Sequence, residues 1–109
     1  MTEVEIRKLI KSTVHKELEL ESLKVKNIIL FGSRARGDYD DSSDWDIFVI
    51  VDKPINFSKK RKIASRIRRA LSPSLIPIDI IIKSEDEVEE QKDDVGYITY
   101  YVLREGVEI

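Results

Sequence analysis

Gly32 and Ser33, the pair Asp44 and Asp46, and the lone Asp79 are the residues of this sequence whose types and spacing suit chemistry. A glycine after an apolar strand lets a phosphate come close to the main chain, because no Cβ stands in the way. Where the following residues open a helical turn, their unpaired N–H groups attract phosphate oxygens. Ser33 adds a hydroxyl donor, and Arg34 and Arg36 add charge that can neutralise a triphosphate. By itself such a turn is common in proteins that bind nothing. Asp44 and Asp46 flank Trp45 at the start of an apolar strand, so both carboxylates leave one face and the indole the other. Like charges so close repel unless a cation is bound, and an all-oxygen donor set suits Mg²⁺ or Mn²⁺. An isolated pair of this kind also reads as a solvated strand end. Asp79 interrupts the run Ile78-Asp79-Ile80-Ile81-Ile82. Aspartate disfavours strands and is seldom buried alone, so it requires a metal or counter-ion there, or lies at an edge beside a basic residue. If its strand neighbours that of Asp44 and Asp46, three carboxylates meet at one end of a sheet. That is the ligand set of a two-metal phosphoryl or nucleotidyl transfer site.

The elements that must position these groups follow from the hydrophobic pattern. Residues 3–22 carry Val4, Ile6, Leu9, Ile10, Val14 and Leu18 among Glu, Lys and Arg, which predicts an amphipathic helix docked on a flat surface. Val25 to Phe31 reads as a strand apolar on both faces, hence central in a sheet, and Gly32 stops it. Residues 33–43 form a turn or loop. Asp44 to Val51 is the second strand, ended by Pro54. A helix with Ser58 as N-cap is predicted over 58–71, and a third strand over Ile78 to Ile82. Ser84 caps a short acidic helix, a tyrosine-rich amphipathic segment covers 96–104, and Glu105-Gly106 turns the chain into a terminal Val107 to Ile109. The sum is one α/β (α+β) domain over 1–109, a small mixed sheet of three or four strands with helices packed on it.

With 109 residues the chain is large enough for one core. It contains no cysteine, which excludes disulfides, thiolate metal sites and a cysteine nucleophile. A net charge of −2 announces no global attraction to nucleic acid or membrane. The N-terminus lacks the apolar core of a signal peptide, and the longest apolar runs are far too short to span a bilayer, so a cytoplasmic domain is expected. Charge is segregated, however. Residues 58–69 carry seven basic and no acidic side chains, and residues 84–94 carry seven acidic ones against Lys92. Such runs are mostly solvated faces; the functional alternative is a basic face for RNA or for an acidic protein. Only Phe57 accompanies the basic run, which disfavours nucleic acid as its ligand. His15, the only histidine, reads as a surface residue, and Tyr97, Tyr100 and Tyr101 as core and rim or as an interface.

Gly32-Ser33, ten residues, then Asp44-Trp45-Asp46 resembles the GS-x10-DxD signature of the polymerase-β-like nucleotidyltransferases. The longer string FGSRARGDYDDSSDWDIFVIVD, the later Ile78-Asp79-Ile80 and the ending LREGVEI most resemble the minimal nucleotidyltransferases of bacteria and archaea. The resemblance implies that an acceptor hydroxyl attacks the α-phosphate of ATP or another NTP and that pyrophosphate leaves. It further implies two Mg²⁺ ions held by Asp44, Asp46 and Asp79, with Asp79 helping to take the acceptor's proton, and nucleotide phosphates held by Gly32, Ser33 and Arg36. Members of this family are commonly paired with a HEPN-type toxin, so the expected acceptor is a tyrosine of such a partner and the expected role is that of an antitoxin. Transfer to a small molecule or an RNA end, and a non-enzymatic antitoxin that silences its partner by binding alone, are the alternatives.

Overall fold

The computed structural model describes residues 1–109. In chain order the elements are α1 (Glu3–Glu19), β1 (Val25–Phe31), α2 (Ser33–Arg36), β2 (Trp45–Val51), α3 (Phe57–Leu71), β3 (Ile78–Ser84), α4 (Glu85–Gln91), α5 (Ile98–Glu105) and β4 (Val107–Glu108). A short 3₁₀ turn at Ser72–Ser74 links α3 to β3. The four strands form one mixed sheet in the order β3-β2-β1-β4. β1 is antiparallel to both β2 and β4, while β2 and β3 run parallel with α3 as their crossover. No helix is long and apolar enough to cross a membrane.

The period of two along each strand divides the core unequally. Ile28, Leu30, Trp45, Ile47, Val49, Val51, Ile78, Ile80 and Ile82 face α1 and α3, meeting Ile10, Val14 and Leu18 of α1 and Ile63, Ile67 and Leu71 of α3. On the opposite face the buried apolar residues are Ile29, Phe48, Ile50 and Val102, with Phe31, Ile81 and Val88 packed against them. Each fully buried aliphatic side chain on the thick face is worth roughly 1.5–3 kcal/mol, so that layer carries most of the stability. The thin face is closed by α4 and α5, and it bears Asp46 and Asp79.

Where the boundaries depart from expectation, local hydrogen bonding decides. α1 ends at Glu19 rather than running to residue 22: Leu23 N–H reaches back to Leu18 O at 3.1 Å, and Ser22 adopts φ 59°, which terminates the helix. α3 is capped by Asn56, not Ser58; Asn56 Oδ1 accepts from Lys59 N–H at 2.8 Å, leaving Ser58 inside the first turn. β2 starts at Trp45, one residue later than expected, so Asp44 lies just outside it. β3 runs two residues further than expected, to Ser84, and that buried serine then caps α4 in a reciprocal capping box with Glu87.

The charge runs are partly internal. Arg66 of α3 contacts Glu21 at 3.1 Å and Glu17 at 3.8 Å, and Lys59 contacts Glu21 at 3.4 Å, fastening α3 to the C-terminal end of α1. Lys60 meets both Glu87 carboxylate oxygens at 2.7 and 2.8 Å. Burial pushes the Glu87 carboxyl up, but Lys60, the Ser84 N–H and Lys83 outweigh it and hold Glu87 below the usual range. His15 is half-exposed, 3.7 Å from Glu19, as a surface residue would be.

Gly106 admits the last strand. A Cβ there would collide with Ile29 Cγ2 and stand 2.5 Å from Val102 O. Gly106→Ala is therefore expected to lower the unfolding free energy by about 1–3 kcal/mol, as overpacking does. Urea denaturation with an unchanged midpoint would show that β4 does not dock tightly on β1.

Candidate active site

The parallel register of β2 and β3 sets Asp46 directly beside Asp79, and the antiparallel register of β1 and β2 sets Asp46 beside Phe31. Phe31, Asp46 and Asp79 thus stand abreast across three strands on the thin face, with neighbouring strands about 4.8 Å apart. The residue after Phe31 is Gly32, which caps α2 at φ 71° and packs against Asp46. A Cβ at Gly32 would overlap Asp46 Oδ2 and lie 3.0 Å from its Cγ. Both the positive φ and this approach require glycine. Gly32 O accepts from the N–H groups of Ala35 and Arg36, each at 3.1 Å, so the turn opens as expected and its first N–H groups face outward.

The acidic groups lie close enough to affect one another. Burial is the main cause that raises the pKa of Asp46; Asp79 and then Asp44 raise it further, and Arg36 opposes them. No hydrogen bond relieves it. A half-buried carboxylate beside two others, with one arginine against it, carries a repulsion that a cation would relieve. The donor set is all oxygen and so fits Mg²⁺ or Mn²⁺ in kind. In position it differs from the expected trio: no three acidic side chains converge enough to hold one ion. Asp79 is 58% exposed on the edge strand and its Oδ1 lies 3.8 Å from Arg68 Nη2. Of the two readings of Asp79, the structure shows the one in which it lies at an edge beside a basic residue, because β3 is the edge strand. Asp44 is exposed, in a shallow depression shared with Arg68, Pro77 and Ile78.

The two arginines of α2 have different tasks. Arg34 turns away from the carboxylates; its Nε donates to Ser43 O at 3.0 Å, and its guanidinium lies 4.4 Å from the Trp45 ring centre and 4.7 Å from that of Tyr39. It braces the loop that delivers Asp44, so it is not free for phosphate as its sequence position suggested. Arg36 stays near Asp46 and contacts Asp38 at 3.3 Å. Asp40 completes the loop by accepting from the Ser42 N–H and hydroxyl, which lower its pKa.

Two residues that the motif did not single out border the site. Arg68 contacts Asp79, and no short motif marks an arginine from the crossover helix. Tyr101, half-exposed on α5 with its hydroxyl donating to Val95 O, shares a cleft of about 280 Å³ with Phe31, Gly32 and Arg36. Tyr97 and Tyr101 are about half-exposed, which matches the rim reading rather than the core.

A glycine turn laid against strand-borne carboxylates at one end of a mixed sheet is an arrangement compatible with phosphate transfer. Residues 8–109 match the family described as "Polymerase beta, Nucleotidyltransferase". The chain belongs to the polymerase-β nucleotidyltransferase family, as a minimal nucleotidyltransferase, and is an enzyme of that class. Two Methanocaldococcus jannaschii relatives are each named "Putative protein adenylyltransferase". One is 37% identical over 73 residues, covering 61% of this chain and 74% of the relative. The other is 32% identical over 80 residues, covering 73% and 76%. Among solved structures, a "putative nucleotidyltransferase" from Sulfolobus solfataricus superposes with a TM-score of 0.63 at 27% identity, over 96% of this chain and 79% of that one. A chain of the toxin–antitoxin MntA–HpeT structure shares the fold, with a TM-score of 0.57 at 20% identity over 100% of this chain and 72% of that one.

Because the folded state binds the Asp46 proton more tightly than the unfolded state, this residue favours folding at low pH. That contribution is lost as pH rises from the ordinary 3.8 through the raised value. Asp46→Asn is therefore expected to raise the melting temperature at pH 7, with the gain shrinking as pH falls and the wild-type carboxyl protonates. Added Mg²⁺ should stabilise the wild type more than the variant. A thermal melt in which the variant is no more stable at pH 7 would remove Asp46 as an uncompensated charge.

Proposed function

We propose that this domain, residues 1–109 acting as one unit, transfers AMP from ATP to a hydroxyl of a partner protein, with Mg²⁺ as cofactor. The favoured acceptor is a tyrosine of a HEPN-type toxin, which would make the chain an antitoxin. The observation that carries the reading is the adjacency of Asp46 and Asp79 beside Gly32. The names of the archaeal relatives support protein as the acceptor class, and the fold shared with the MntA–HpeT structure supports a toxin–antitoxin role.

In the proposed reaction the acceptor oxygen forms a bond to the α-phosphorus and the bond to the bridging oxygen of the β-phosphate breaks. Pyrophosphate leaves, and the hydroxyl proton passes to Asp79. Gly32 and Ser33 would receive the β- and γ-phosphates, Arg36 would offset part of their charge, and Asp44, Asp46 and Asp79 would hold the divalent ions between them. Those ions, when bound, neutralise phosphate charge and polarise the phosphoryl oxygens. For Asp79 to serve, its carboxylate must leave Arg68, which is near enough to turn to the incoming acceptor instead. The chain's own contribution is positioning and charge neutralisation, as in other phosphoryl transfers.

ATP labelled at the α-phosphate, Mg²⁺ and the product of the neighbouring gene test this directly. Label is expected on the partner protein, and Asp44→Asn and Asp46→Asn are expected to reduce it by about 10³-fold or more while circular dichroism stays native. Transfer of γ-label in place of α-label would overturn nucleotidyl transfer. Label on RNA or a small molecule would move the acceptor class, and tight binding of the partner without any label would make the chain a stoichiometric inhibitor.

A further inference from the structure

A groove of about 660 Å³ runs between α3 and β3, away from the phosphate turn. Ile80, Ile81, Ile82 and Lys83 all line it, although consecutive side chains on a strand point to opposite faces. The groove therefore follows the outer backbone edge of β3, which pairs with β2 on its other side and with nothing beyond. Unpaired N–H and C=O groups along such an edge are a template for another extended chain. Four residues span roughly 13 Å, room for a short added strand.

The walls of the groove are charged with one sign. Lys60, Arg61, Lys62, Arg68 and Lys83 line it and no acidic residue does. Lys60 and Lys83 share a single carboxylate, Glu87. Arg61 forms no ion pair and lies 5.8 Å from the centre of the Phe57 ring, and Arg68 lies 3.8 Å from Asp79. The groove thus begins at an exposed aromatic and leads to one of the three site carboxylates.

We propose that an extended acidic segment of a partner protein docks in this groove by adding to β3 as a further strand, with its carboxylates on Arg61, Lys62 and Arg68. An edge that alternates donors and acceptors at the peptide spacing matches another peptide. A single-stranded nucleic acid would need successive aromatic platforms, and Phe57 is the only one lining the groove. Docked in this way, the segment ends next to Asp79 and carries its acceptor hydroxyl toward the site. That last step rests on the proposed nucleotidyl transfer, and the docking itself does not.

The test uses the full chain without nucleotide, so it is independent of transfer activity. A fluorescein-labelled ten-residue peptide alternating Glu with Val and Thr is titrated by fluorescence anisotropy, with a ten-nucleotide oligouridylate as competitor. Hydrogen–deuterium exchange is followed at the amides of Ile80 to Lys83. Saturable peptide binding, slowed exchange at those amides, and a loss of affinity of about tenfold in the Arg61→Glu/Lys62→Glu variant are expected. Overturning results are no saturation at ~1 mM peptide, binding without slowed exchange in β3, or oligouridylate displacing the peptide at lower concentration. Should the double variant not fold, wild-type binding that does not weaken with rising salt would overturn the proposal as well.

Discussion

The side-by-side placement of Asp46 and Asp79 is imposed by strand register, and every other feature of the site is arranged around it. Slipping β2 by one residue would relieve the repulsion but turn Trp45, Ile47, Val49 and Val51 out of the thick core face, where each is 1% exposed or less. Four such side chains represent roughly 6–12 kcal/mol of burial, comparable with the whole stability of a small domain. Two carboxylates about 4.8 Å apart repel by about 3.5 kcal/mol at an effective dielectric of 20, and solvent screening lowers that further. The register wins, and the like charges are held together by residues on the other side of the sheet. The strain is concentrated where a cation can relieve it.

Helical geometry explains why two arginines so close in sequence serve different ends. Arg34 and Arg36 sit two positions apart on α2, about 200° around its axis. One side of that turn faces Trp45 and Tyr39, and Arg34 stacks there while holding the Ser43 carbonyl. The other side faces Asp46 and the cleft bounded by Tyr101, and Arg36 is left there. The short helix thus links loop order to site charge: the same turn that aims Arg36 also fixes the loop carrying Asp44.

Much of this was legible because the signals are local. Val25–Phe31 emerged as a strand residue for residue, and the thick core followed from period two in β2 and β3 and from helical spacing in α1 and α3. Gly32, Asp46 and Asp79 were recognisable because glycine and aspartate are out of place next to apolar strands unless something requires them. What the sequence concealed depends on pairing between distant segments. Nothing in IDIII chooses between a metal-bound Asp79 and one at an edge beside a basic residue; the pairing order places β3 at the edge and supplies Arg68. Asn56 rather than Ser58 caps α3 because one hydrogen bond chooses between two adjacent good caps. The rim of the site at Tyr101 becomes visible only when α5 is folded over the thin face.

The basic and acidic runs show the same limit from the other side. A run of like charge was expected to be a solvated face, yet Arg66 and Lys59 are engaged with Glu17 and Glu21, and Lys60 with Glu87. These pairs join α3 to α1 and α4, so the opposite charges of the two helices are in part complementary structural surfaces. Subtracting them leaves Arg61, Lys62 and Arg68 lining the groove between α3 and β3. A net charge of −2 therefore hides a polarised edge, in which an acidic centre and a basic groove meet where Arg68 touches Asp79. Fields of opposite sign a few ångströms apart sort ligands by charge: the carboxylates disfavour any anion that arrives without a cation, while the groove attracts one. If the proposed transfer and docking hold, nucleotide and acceptor would reach Asp79 from different sides, as in-line displacement at a single phosphorus requires.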